Sequence, residues 1–176
     1  MSYRKEQLER LPEKIQGFIQ QFSTAQLGTV DSQGIPLASY APFVRQGNDF
    51  VMLLSTVSKH ARNLQQTPRA SLMLVESEDK ARHLFARERL VIDCDVVCID
   101  KHSEEASPLK QQMQQKYGEI VEQLCGMKDF SFYRFAPRSG NYVKGFGQAF
   151  RLDENLQHAV HQTEGHTEEE KQLQPA

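Results

Sequence analysis

Tryptophan is absent from the 176 residues and cysteine is scarce, with three copies. Without tryptophan, any aromatic contact to a ligand must come from Phe, Tyr or His. Cys94, Cys98 and Cys125 include no CxxC pair, so a zinc ribbon is unsupported, and a disulfide scaffold would leave one thiol over. Cys94 and Cys98 share strand parity and read as small buried hydrophobes. No charge of one sign dominates: 21 basic and 23 acidic residues leave a formal net charge of −2. Such a chain has no global field for phosphate backbones, and nucleic acid is not an expected partner. No window approaches the ~18 apolar residues of a membrane span. The opening MSYRKEQLERLPEK is too charged for the apolar core of a signal peptide, which makes the cytoplasm the expected location. Also missing are GxGxxG, P-loop and GxSxG motifs.

What is there suits one compact domain, since a chain of this length can bury roughly 70% of its unfolded surface. Leu8, Leu11, Ile15, Phe18, Ile19 and Phe22 fall at three- and four-residue steps and predict a helix, with Pro12 splitting or kinking its first turns. The period then changes. Between the turn signals Asp31–Gly34 and Gln46–Asp49, three strands joined by two hairpins are expected. SKHARNLQQTP reads as a short helix stopped before Pro68, and ASLMLVE and RERLVIDCDVVCID as strands. From Glu104 to Leu124 one helical face carries Leu109, Met113, Tyr117, Ile120, Val121 and Leu124. FSFYRFAP and YVKGFGQAFRL predict two more strands, and a short amphipathic helix with Leu156 and Val160 leads into a polar tail. Six or seven strands with few helices indicate an α+β protein built on a β-barrel.

The order of these pieces carries a resemblance. AQLGTVDSQGIPLASYAPFV followed by FVMLLSTVSKHARNLQQTPRASLMLVE resembles the flavin-binding split-barrel superfamily typified by pyridoxamine 5′-phosphate oxidase. Its marks are a strand ending in a D-x-x-G turn, a strand ending near S/T, a helix that reads K-x-x-x-N-L here, and a P-R-x-S-L strand. ARERLVIDCDVVCI and FSFYRFAPRSGNYVKGFGQAFRL narrow the likeness to the haem-degrading HugZ/HutZ-type branch. The resemblance implies an FMN-binding-like split β-barrel with flanking helices, homodimeric, with a ligand site between subunits. Residues 1–150 would form the barrel and N-terminal helix, and residues 151–176 a C-terminal helix and tail reaching the site. It also implies haem as both substrate and cofactor, opened with oxygen and electrons from an external donor. FMN in an oxidase-like relative, or haem carriage without cleavage, are the alternatives.

For site residues the resemblance points to His166 as axial ligand of the haem iron, with His161 as runner-up. Asp129, before FSFYRFAP, would accept the proton on the far imidazole nitrogen. Arg89 would hold a propionate or act on the distal side, with Arg87 on the same strand face. Lys59, His60 and Arg62, followed by Asn63, would meet an FMN phosphate or haem propionates. Taken alone, these residues also read as a solvated tail histidine, a turn aspartate, edge-strand arginines and a helix-start histidine. Glu76, Glu78 and Asp79 read as a solvated acidic loop, and Tyr133, Phe135, Tyr142 and Phe146 as core aromatics, one or two able to stack on a macrocycle.

Overall fold

A computed structural model describes residues 8–157 and 159–161. Helix α1 (Leu11–Ile19) takes Pro12 into its opening turn, where no intrahelical N–H is needed. Leu8 and Glu9 are already helical and Arg10 forms a turn before Leu11, so Pro12 splits the predicted helix near its first turns, as expected. The Asp31 turn closes β1 (Thr24–Val30) onto β2 (Pro36–Pro42): Asp31 Oδ1 accepts from the Gln33 and Ile35 amides at 3.0 and 2.9 Å. Gly34 supplies the positive φ of 79° that this turn requires.

The expected single strand from β2 onward is broken at Phe43, whose ring is buried and whose amide donates to the Ser23 carbonyl at 3.0 Å. Strands β3 (Val44–Gln46) and β4 (Asp49–Ser55) follow as a hairpin with Gly47 at φ 59°. Helix α2 (Lys59–Gln66) is capped by Ser58, whose Oγ accepts from the Ala61 amide at 3.3 Å, and it ends before Pro68. Strands β5 (Arg69–Val75) and β6 (Arg89–Ile99) come next, joined by a loop with a 3₁₀ turn at Leu84–Ala86.

The single helix expected over 104–124 is two, α3 (Ala106–Tyr117) and α4 (Ile120–Gly126). Gly118 at φ 79° breaks it, and Ile120 turns half into solvent. Conversely, Pro137 ends no strand: FSFYRFAP and the start of YVKGFGQAFRL form one strand, β7 (Phe130–Gly145), and the expected second strand is itself broken at Gly147, φ 65°, before residues 148–152. Asp93 pairs Ser139 while Cys94 pairs Pro137, so Arg138 is the extra residue of a bulge that tolerates the proline.

The described residues after 150 contain no helix. Residue 150 lies inside β8 (Gln148–Leu152), and Ala159–His161 form β9 against it. Leu156, at φ 56°, is fully buried between the two strands' connection and the core.

Among the described residues the nine strands pair antiparallel in one curled sheet, ordered β2-β1-β5-β6-β7-β4-β3, with β8 on the second half of β7. With the helices packed on it, this is the expected α+β split barrel. One apolar cluster fills the barrel beneath α1 and α2. A second, with Val44, Val51, Leu53, Ile99 and Phe132, lies under α3 and α4. Strand β4 is buried on both faces because it serves both clusters, which explains its unbroken apolar run. Cys94 is buried as expected, but Cys98 is exposed: Val96 ends the barrel-facing alternation and Ile99 turns to the second cluster. No helix among the described residues is long and apolar enough to cross a membrane.

Candidate functional site

Two corners of the sheet carry the candidate residues. At the first, the end of β4, the start of α2 and the start of β7 converge. Asp129 immediately precedes β7, and its Oδ2 accepts from Ser55 Oγ at 2.6 Å. The Thr56 amide donates to the Asp129 carbonyl at 2.5 Å, and Ser58 Oγ donates to the Ser55 carbonyl at 2.6 Å. The α2 cap and the aspartate thus share one small hydrogen-bonded loop.

From that cap Lys59 and Arg62 project into solvent, with no ion pair to either among the described residues. His60 is half-buried, with Nδ1 3.2 Å from Ser39 Oγ, and burial holds its pKa below the ordinary imidazole value. Asn63 does not join this charged group. It turns inward, is 4% exposed and donates to Thr29 Oγ1 at 3.1 Å, tying α2 to β1.

The second corner lies where β6 begins. Arg89 stands on the outer face of the sheet, in register with Val75 of β5 and Val143 of β7. Its Nη1 donates to the Arg87 carbonyl at 3.1 Å. Leu90, Ile92 and Cys94 point into the barrel, so the half-exposed Val91, with Met73, Val75 and Val143, leaves an apolar outer patch beside the guanidinium.

Arg87 does not share this face, because β6 starts two residues later. Its Nε donates to the Glu76 carbonyl at 2.9 Å and its Nη1 lies 3.4 Å from Glu78, an attachment of the loop to itself. The acidic cluster is accordingly part of this scaffold: Glu76 Oε1 also accepts from the Glu88 amide at 2.8 Å. Of the late aromatics, Tyr133, Phe135 and Tyr142 are core, with the Tyr142 hydroxyl on Glu88. Phe146, 62% exposed, meets His83 with ring centres 6.1 Å apart. His161 joins this corner through β9; its Nε2 is 3.0 Å from the Gly147 carbonyl and its ring packs on Phe150 at 5.2 Å. His166 lies outside the described residues.

Within one chain the corners stand at the two ends of β7. From Asp129 to Val143, the partner of Arg89, there are 14 residues of nearly continuous strand, roughly 45 Å along the chain. The sequence motifs mark Asp129, Arg89 and the α2 cations as candidates and do not mark the contact of Ser55 with Asp129. Nothing in the pattern marks a serine at a strand end as a partner for a carboxylate 74 positions away.

A curled barrel left open along one side, with polar groups at its rims, defines a split-barrel protein of the flavin-binding type. The family model for pyridoxamine 5′-phosphate oxidase matches residues 11–144, and the chain belongs to that family. Within it the likeness is to the HutZ type. Over 158 residues the chain is 42% identical to the haem oxygenase HutZ of Vibrio cholerae serotype O1, covering 89% of this chain and 90% of that one. A crystal structure of Vibrio cholerae HutZ, described there as a haem storage protein, superposes with a TM-score of 0.71 at 41% identity, over 77% of this chain and 95% of that chain. Campylobacter jejuni ChuZ superposes with a TM-score of 0.80 at 25% identity, over 92% of this chain and 64% of that chain.

Proposed function

We propose that this protein is a cytoplasmic, homodimeric haem-degrading oxygenase that takes electrons from an external donor and releases iron from the opened ring. The observation that carries the proposal is the 42% identity, across 89% of the chain, to a relative named as a haem oxygenase. When bound, haem supplies both the redox-active metal and the ring to be cut.

The residues present suit such a ligand. A porphyrin needs a broad apolar bed with cations at its rim, and Met73, Val75, Val91 and Val143 beside Arg89 offer both. Arg89 would bind a propionate or serve the distal side, and Lys59, His60 and Arg62 are further rim groups. Asp129 would hold the N–H of the ligating imidazole on the carboxylate oxygen that Ser55 leaves open, fixing the ring and raising its basicity.

Chain length supports a dimer. His161 sits at the Arg89 corner, and the five residue steps from there to His166 span at most about 17 Å. That is far less than the strand separating this corner from Asp129 of the same chain. The histidine of one copy would therefore meet the aspartate of the other.

FMN is the competing ligand, favoured by the family model and by the exposed Lys59 and Arg62 at the start of α2. Haemin added to the purified protein separates the two. The proposal expects a Soret band, and its decay with iron release when ascorbate and oxygen follow. His166→Ala should abolish the band, and His161→Ala should keep it. A yellow protein with a flavin spectrum and no haemin uptake would overturn the proposal; a Soret band stable to ascorbate would make it a carrier.

A further inference from the structure

We infer that Ser55 is a positioning residue for Asp129, an inference resting on the proposal that Asp129 faces a haem-ligating imidazole. A carboxylate turns through a broad two-fold torsion, so its oxygens have no preferred direction unless something holds them. Ser55 Oγ, 2.6 Å from Oδ2, holds one. No other hydrogen bond reaches this carboxylate among the described residues. Oδ1 is thereby the oxygen presented to an arriving N–H.

The holder is itself rigid. Ser55 is the last residue of β4, paired with Phe130 of β7. The Thr56 amide fixes the Asp129 carbonyl, and the Ser55 carbonyl is occupied by Ser58 Oγ. The ladder between β4 and β7 already runs from Phe50 to Ser55 without help from the hydroxyl. The Ser55 side chain is therefore not needed for strand register, and its contact with the aspartate is directional.

The test uses the full chain loaded with haemin and reduced. The readout is the resonance Raman stretch between iron and imidazole, a band sensitive to the hydrogen bond on the far nitrogen. Asp129→Leu should lower its frequency. Ser55→Ala should lower or split it, as the carboxylate samples both rotations, and slow ring opening about 10-fold. Ser55→Thr should restore a single band at the wild-type position. Ser58→Ala removes the α2 cap and the bond to the Ser55 carbonyl, but leaves the Ser55 hydroxyl and its pairing with Phe130; it should lower the melting midpoint and leave the band in place.

A wild-type band and rate in Ser55→Ala, with Asp129→Leu shifted, would overturn the inference and leave the proposed function standing. A band displaced equally by Ser58→Ala would also overturn it, since any loosening of the corner would then suffice. An unshifted band in Asp129→Leu would overturn both, because the aspartate would not be on the imidazole.

Discussion

His60 shows how much a residue's setting adds to its type. Its imidazole is half-buried against Ser39, and burial favours the neutral ring. The folded pKa thus lies below the unfolded value of about 6.5. The sign follows: the neutral ring supports the fold above the unfolded pKa, and that support is lost as pH falls through the folded pKa. In the ligand-free protein, His60→Gln should flatten the decline of the melting midpoint between pH 7 and pH 5; an unchanged slope would locate the acid sensitivity elsewhere. At this scale the sequence exposed residues that sit in motifs. Asp129 and Lys59 can be named as candidates for that reason. Arg87 was misplaced because strand parity was carried two residues beyond the true start of β6, and Ser55 was invisible because its role depends on a contact between distant segments.

Elements were legible where a local signal was complete. The Asp31–Gly34 hairpin and the Ser58-capped α2 formed as their residues require. Errors arose where tertiary pairing outweighed local punctuation. Pro137 reads as a terminator but lies in a bulge, and the segment from 151 reads as a helix outside the barrel but packs into the barrel as far as it is described. Leu152 and Leu156 are 2% and 0% exposed, and Gly140 is bare where an added Cβ would stand 3.0 Å from Leu156. Removing everything after Phe150 should therefore destabilise the barrel by several kcal/mol, at about 2–5 for each buried leucine lost. Removing residues after His161 should leave the melting transition near that of the full chain while abolishing tight haemin uptake. Circular dichroism melting with Soret titration checks both, and a stable barrel ending at residue 150 would contradict the packing described here.

At the scale of the molecule, the resemblance in order and spacing revealed the family, but no sequence pattern shows that Asp129 and Arg89 end up at opposite rims. That separation makes a sharp prediction for a dimer. Protomers carrying Arg89→Ala and protomers carrying Asp129→Leu should each be nearly inactive alone. Mixed and allowed to exchange, they form half heterodimers, each with one intact site and one doubly damaged site, so about a quarter of the wild-type rate should return. Light scattering should give twice the chain mass throughout. Confirmed heterodimers with no recovered activity would exclude a site shared between copies.

The long strand β7 also sets how the molecule breathes. Residues 132–135 are bonded to β4 on one side and β6 on the other, and residues 140–143 to β6 and β8. Backbone deuterium uptake there requires the whole barrel to open. Asp129 is hung directly on this slowest-exchanging spine. His161, by contrast, stands on a three-residue strand that pairs with β8 among the described residues. Under the proposed function, Asp129 would thus be the fixed half of its pair, an anvil on which the incoming histidine is set.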